Sequence, residues 1–116
     1  MKEGDISRLI QVRHTELGGR LFRNNVGLFK TIDGRTVKTG LGKGSSDLIG
    51  WTPLKITPDM VGKTVAVFTA AEVKTRRKGS KDSAEQLNFI EQVNNAGGYA
   101  FISRSPDEHE RKLGEV

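Results

Sequence analysis

The side chains with the clearest chemical potential in this sequence are two carboxylates and one ammonium, those of Asp47, Glu72 and Lys74. They fall in two stretches, 45–50 (SSDLIG) and 68–74 (FTAAEVK), which we predict to be neighbouring strands. Side chains alternate across a strand, so Glu72 and Lys74 share one face. The valines and alanines that precede them suit a strand buried on both faces, where charged side chains are costly. We therefore expect these residues to line a cleft.

This combination of side chains fits a site for a hard divalent cation. Mg²⁺ takes oxygen ligands and keeps several waters, so one or two carboxylates and a substrate phosphate suffice to bind it. Asp47 and Glu72 supply the carboxylates, and the backbone carbonyl of Val73 is well placed to add another oxygen. A metal-bound water ionises more easily, and Lys74 is able to orient that water or to stabilise the transition state. The residues therefore predict metal-assisted hydrolysis of a phosphate ester.

Hydrophobic spacing and turn signals predict the elements that must position these residues. Helical spacing predicts a helix over residues 4–17, and a capping box from Ser83 to Gln86 begins a second helix that runs to about residue 96. Asp33-Gly34 is a strong hairpin signal. We predict strands at 21–26, 28–32, 35–39, 47–51, 64–74 and 99–103, a basic loop at 75–81 and a short last helix at 106–113. The fold class is thus α/β, with a small mixed sheet flanked by helices.

Length and composition limit the class of protein further. The chain has 116 residues, which predicts one domain over residues 1–116. It has no cysteine, which excludes disulfides and cysteine-bound zinc and fits a reducing cytoplasm. His14 and His109 are too far apart to indicate a zinc site, and we expect both at the surface. No apolar run approaches the roughly 20 residues of a membrane span, so we expect a soluble cytoplasmic protein without a membrane partner.

The charge of the chain favours a polyanionic partner. The formal net charge is +5 and the pI is near 9.7. A dense basic run follows the second strand of interest and contains Lys74, Arg76, Arg77, Lys78 and Lys81. Such a run is often a solvated loop, but its place directly after Glu72 and Lys74 favours contacts with phosphates.

Taken together, these motifs resemble those of a known nuclease superfamily. Asp47 followed by Glu72-Val73-Lys74 resembles the motif of the PD-(D/E)xK nucleases. The usual proline is replaced by Ser46, and in this respect the chain is similar to the virus-type replication-repair nuclease (VRR-NUC) family. The family's other motifs are matched in order by Glu3, by residues 23–27 (RNNVG) and by residues 86–89 (QLNF). The resemblance extends from Glu3 to Ser103, nearly the whole chain.

The resemblance implies a restriction-endonuclease-like core over about residues 3–104, with a short tail at 105–116. It implies a metal-dependent DNA endonuclease that uses Mg²⁺ or Mn²⁺ and often cuts branched DNA in replication, recombination or repair. Short stand-alone members of phage type tend to be homodimers. If a phage encodes this chain, the resemblance also implies a location in the cytoplasm of its bacterial host.

The implied catalytic residues are Asp47, Glu72, Lys74, Gln86 and Glu3. The implied metal ligands are Asp47, Glu72, the Val73 carbonyl and Glu3. The implied DNA contacts are Arg23, Asn24, Asn25, Lys43, Arg76, Arg77, Lys78 and Lys81.

Several of these roles have a purely structural alternative. Glu3 suits the first turn of a helix because of the helix dipole, and Asp5 is able to replace it as a ligand. Asp47 is a common turn residue, and Gln86 is the natural partner of a Ser83 cap. Asn24 and Asn25 either contact DNA or close a turn. At the level of function, the alternatives are a DNA-binding module that does not cleave and a structural or inhibitor protein of a phage particle.

Overall fold

The computed structural model describes residues 2–74 and 83–115, and in these ranges a first helix is followed by a run of strands, a second helix, a further strand and a last helix. In chain order they are α1 (Glu3–Glu16), β1 (Arg20–Arg23), β2 (Gly27–Lys30), β3 (Thr36–Thr39), β4 (Leu48–Trp51), β5 (Thr69–Val73), α2 (Ala84–Asn95), β6 (Tyr99–Ser103) and α3 (Pro106–Gly114). A short 3₁₀ helix, Pro58–Met60, lies between β4 and β5 in the sequence. The described strands form three pairs, β1 with β4, β2 with β3 and β5 with β6. Contacts divide the chain into two compact units, of which the first ends at Leu54 and the second begins at Lys55.

In the first unit, α1 packs on the antiparallel pair formed by β1 and β4. Gln11 Nε2 on α1 donates to the Leu21 carbonyl (3.1 Å), and His14 Nε2 donates to the Trp51 carbonyl (2.9 Å). Gly19 permits the second contact, because a Cβ there would lie 2.5 Å from both His14 Nε2 and the Trp51 oxygen. The expectation of a surface histidine is therefore wrong for His14, which is half-buried and ties α1 to the end of β4.

The first unit also contains the predicted hairpin. β2 and β3 pair antiparallel, with Phe29 opposite Val37. The turn is closed by hydrogen bonds from Thr31 N to the Arg35 carbonyl (2.8 Å) and from Gly34 N to the Thr31 carbonyl (3.0 Å). Gly34 has a φ of +86°, a conformation that favours glycine. The Asp33-Gly34 signal thus gave the right place for the turn.

In the second unit, β5 and β6 pair parallel and α2 forms the crossover between them. Val93 of α2 and Ala100 of β6 are its buried apolar residues among those described. Asn94 seals the outer edge of β6, since its side chain both accepts from Ala100 N and donates to the Ala100 carbonyl (2.9 Å each).

The last helix, α3, packs on β6. His109 Nδ1 and Ser103 Oγ are hydrogen-bonded (2.9 Å), and the rings of His109 and Phe101 lie 5.3 Å apart. His109 is half-buried, so the expectation of a surface position is wrong for this histidine too. A contact between residues six apart, across a loop, is not visible in local sequence periodicity.

One predicted strand is shorter in the structure, and its burial differs from the expectation. We predict a strand over residues 64–74 buried on both faces, whereas β5 spans Thr69–Val73 and alternates between exposed and half-buried residues. β6 spans Tyr99–Ser103 and offers partners only from Thr69 onward. Val73 is 77% exposed. The apolar run at residues 64–73 therefore consists of β5, which has one half-buried face, and of the segment 64–68 that leads into it.

The mixed α/β class predicted from the sequence is confirmed, with helices and both antiparallel and parallel strand pairs. The other helix and strand bounds differ from the prediction by three residues or fewer at each end. Trp51 is half-buried, and its ring lies 5.5 Å from that of Phe22. Within the described ranges, no helix has the length and apolar character needed to cross a membrane.

Candidate active site

Glu72, Lys74 and Gln86 come together where β5 ends and α2 begins. Gln86 Nε2 donates to Glu72 Oε1 (2.8 Å), and Lys74 Nζ donates to Gln86 Oε1 (3.1 Å). Lys74 Nζ lies 3.6 Å from Glu72 Oε1, which makes the two an ion pair. We call these three residues the EKQ cluster. The structure thus joins three of the predicted catalytic residues.

The first turn of α2 holds Gln86 in place through a reciprocal capping box. Ser83 Oγ accepts from Gln86 N (3.0 Å), while Gln86 Oε1 accepts from Ser83 N (3.0 Å). Gln86 Oε1 therefore receives two donors, Ser83 N and Lys74 Nζ, and its amide nitrogen faces a carboxylate. The opposite amide orientation would set donors against donors, so the neighbours fix this one. The structural and functional readings of Gln86 are thus compatible.

The alternation of β5 explains why Glu72 and Lys74 meet. Both lie on the face that α2 approaches, and their side chains are 33% and 13% exposed. No described residue forms a hydrogen bond with Glu72 Oε2. Glu72 is thus a partly covered carboxylate with a cation beside it, and it has one oxygen in a hydrogen bond and a second oxygen with which it could bind a ligand.

The parallel ladder also decides where the Val73 carbonyl points. Tyr99 N donates to the Phe68 carbonyl (2.9 Å), and Lys74 N donates to the Ser103 carbonyl (3.2 Å). Because alternate residues of a parallel strand bond to one neighbour, the backbone groups of Val73 face the edge of β5 that is opposite to β6. Within the second unit, the described residues place no strand on that edge. The Val73 carbonyl is therefore outside the β5–β6 ladder.

In the first unit, Asn24 organises the loop that leads to Asp47. Its amide donates to Ser45 Oγ (2.7 Å) and to the Ser46 carbonyl (2.8 Å), and its Oδ1 accepts from Leu41 N (2.9 Å). Asn24 N also donates to the Asp47 carbonyl (2.8 Å), while the Asp47 side chain is exposed. These bonds give Asn24 a structural role, because its side chain holds residues 41–47 against β1.

This clamp is a feature that the sequence alone did not indicate. Asn24 and Ser45 are 21 positions apart, so no helical or strand periodicity links them. The available signal was compositional, an Asn-Asn pair and a glycine- and serine-rich loop, both rich in side chains that bond to backbone.

The remaining predicted site residues lie at the surface or beyond the described ranges. Glu3 is exposed in the first turn of α1, and Asp5 next to it pairs with Arg8 (2.9 Å). Arg23, Asn25 and Lys43 are exposed in the first unit. Arg76, Arg77, Lys78 and Lys81 lie outside the described residues. Within each unit, the residues described here include no group of three or more His, Cys, Asp or Glu side chains arranged to hold a metal ion.

The comparison with protein families adds an independent result. The model of the VRR-NUC domain matches residues 6–106, most of the chain. No curated protein and no solved structure matches the chain significantly. The family implies a nuclease-type function in DNA processing, and this function implies DNA as the partner. On the extent of this match, the chain belongs to the VRR-NUC family of nucleases.

Proposed function

We propose that this protein is a metal-dependent endonuclease that hydrolyses phosphodiester bonds of DNA. The observation that carries the proposal is the EKQ cluster, in which Glu72, Lys74 and Gln86 are hydrogen-bonded at the end of β5. The family match supports nucleic-acid cleavage as its chemistry. Asp47 and Glu3 complete the proposed catalytic set from the first unit.

In this proposal each residue of the cluster has a separate task. Glu72 accepts a hydrogen bond from Gln86 at Oε1 and binds the metal ion through Oε2. Lys74 brings a positive charge toward the scissile phosphate, where it orients the attacking water and stabilises the negative charge that develops. Gln86 fixes both side chains, because its amide oxygen and nitrogen are already engaged by Lys74 and Glu72.

The donor set fits a hard divalent cation. Asp47, Glu72, the Val73 carbonyl and Glu3 are all oxygen donors, the type that Mg²⁺ and Mn²⁺ prefer. The orientation of the Val73 carbonyl away from the β5–β6 ladder leaves it available as a ligand. A bound ion would lower the pKa of water and neutralise charge on the phosphate.

The finer features of this proposal concern the substrate and the assembly. We propose a preference for branched or junction DNA in replication, recombination or repair, in the cytoplasm and, if a phage encodes the chain, in its bacterial host. DNA contacts come from Arg23, Asn24, Asn25 and Lys43 and from Arg76, Arg77, Lys78 and Lys81.

We also propose a homodimer, which would give two active sites. Analytical ultracentrifugation should then give twice the chain mass of 12.7 kDa. A single 12.7 kDa species at working concentration would exclude the dimer.

The proposal is tested by incubating the purified protein with end-labelled DNA. Four-way junction, flap and plain duplex substrates are compared in Mg²⁺, in Mn²⁺ and in EDTA. We expect cleavage in either metal, faster on the branched substrates, and none in EDTA. Binding without cleavage in both metals would instead show a DNA-binding module that keeps the fold.

A further inference from the structure

The hairpin formed by β2 and β3 (residues 27–39) packs less than any other described pair of strands. β2 and β3 contact each other, and within the first unit no other described helix or strand makes more than marginal contact with them. A two-stranded hairpin on its own is marginally stable in water. Leu28, Phe29 and Val37 are all exposed, so both faces of the hairpin present side chains that a partner can contact.

The two faces of the hairpin differ in chemistry. Lys30 lies opposite Thr36 and Lys38 opposite Leu28, so both lysines project from one face, while Phe29 and Val37 share the other. Lys30 and Lys38 are exposed, and neither forms an ion pair with a described residue. One face of the hairpin is thus positively charged.

The segment that contains the hairpin and its flanks, residues 17–46, has the same net charge as the whole chain. Residues 17–46 contain six basic residues and one acidic residue, a net charge of +5 that equals the value for all 116 residues. The one acid, Asp33, sits in the turn and pairs with Arg35 (2.9 Å). It does not neutralise the lysine face.

The root of the hairpin is fixed beside the loop that precedes Asp47. Asn24 Oδ1 accepts from Leu41 N just after the hairpin ends, and the Asn24 amide holds Ser45 and Ser46. Gly40 makes this possible, since it has a φ of +77° and a Cβ there would lie 2.9 Å from Asn24 Oδ1. The hairpin is therefore anchored to a segment of the proposed catalytic apparatus.

We propose that the β2–β3 hairpin is a DNA-binding arm in which Lys30 and Lys38 each contact a backbone phosphate. The inference rests on the proposed function and names how that site holds its substrate. The uncompensated positive face is complementary to a polyanion, and a two-stranded ribbon fits the major groove of duplex DNA. Ile32, within the turn, is fully exposed and suits apolar contact inside a groove.

The arm is tested by the salt dependence of DNA binding. Fluorescence anisotropy with a labelled duplex is measured over a range of NaCl concentrations, in a Glu72→Gln background that we expect to cleave at least about 100-fold more slowly than the parent. The pair Lys30→Gln and Lys38→Gln is compared with a control pair, Lys55→Gln and Lys63→Gln, which removes two exposed lysines from the segment between β4 and β5. We expect the negative slope of log K against log salt to become less steep by about 2 for the hairpin pair, because each phosphate contact contributes about −0.9 to that slope. The control pair should keep the parental slope.

The outcomes separate the two proposals. If the parent binds DNA and the hairpin pair keeps its slope, the arm is wrong while the nuclease proposal stands. If the parent does not bind DNA, the proposed function fails. If the hairpin pair keeps the slope but dissociates a dimer in ultracentrifugation, the occupant of the hairpin is a second copy of the chain. A Lys30→Arg, Lys38→Arg pair should retain the slope, which separates loss of charge from loss of fold.

Discussion

At the scale of single residues, Gln86 is the side chain on which the proposed site depends for its order. It bonds to Glu72, to Lys74 and to the Ser83 backbone. Replacing Gln86 by alanine should lower the free energy of unfolding by about 1 to 2 kcal/mol, since the half-buried carboxylate and the helix terminus each lose a partner. Urea denaturation measures the effect.

The matched control is Gln92→Ala, the same change at an exposed position of the same helix. That variant should unfold within about 0.5 kcal/mol of the parent. If the two variants lose equal stability, the hydrogen bonds of Gln86 do not hold the cluster together.

Glu108 makes a second prediction at the residue scale, through pH. The Lys112 ammonium, 3.0 Å from its Oε1, lowers the pKa of Glu108, against the opposing effect of burial, and Arg104 (3.7 Å) adds to the lowering. A lowered pKa in the folded state stabilises the fold at pH values above the ordinary pKa of 4.5. This contribution is lost as the pH falls through the lowered value.

Unfolding free energies of the parent and of Glu108→Gln should therefore differ most near neutral pH and converge as the pH falls below 4.5. Glu110→Gln, an exposed change on the same helix, provides the comparison. A difference for Glu108→Gln that stays constant down to acid pH would contradict the assignment.

Residue types at special spacings were the part of the site that sequence could predict. Glu72 and Lys74 are two apart on a strand and so must share a face, and Ser83 and Gln86 have the spacing of a capping box. The bonds from Gln86 to Glu72 and Lys74 needed the structure, because they depend on how the crossover helix returns to β5.

At the scale of elements, the loop before Asp47 is ordered by contacts distant in sequence. Asn24→Ala removes the bonds to Leu41, Ser45 and Ser46 and should destabilise the protein by about 1 to 3 kcal/mol. The neighbouring Asn25 is exposed, so Asn25→Ala should cost less than about 0.5 kcal/mol. Thermal and urea unfolding of the two variants decides whether Asn24 is a clamp.

Element bounds show where sequence prediction ended. The Asp33-Gly34 turn and the Tyr99–Ser103 strand are local signals and were placed correctly. The strand before Lys74 was predicted too long because its length is set by β6, a partner some thirty residues later. Likewise, the contacts of His14 with Trp51 and of His109 with Ser103 join separate elements, and local periodicity carries no information about them.

At the scale of the whole molecule, charge and chemistry are unevenly distributed along the chain. The net positive charge resides in residues 17–46, whereas the EKQ cluster belongs to the second unit. The family model covers both, from residue 6 to residue 106. We therefore expect both units to be required for cleavage, because the first carries Asp47, Glu3 and most of the net positive charge and the second carries the EKQ cluster.

The most direct test of the central proposal is the rate of DNA cleavage by Glu72→Gln. The change keeps the size of the side chain and removes its charge, and Glu91→Gln on the exposed side of α2 is the matched control. In Mg²⁺ or Mn²⁺, we expect Glu91→Gln to cut at the parental rate and Glu72→Gln to be slower by about 100-fold or more. Cleavage by Glu72→Gln at the parental rate would contradict the proposed active site.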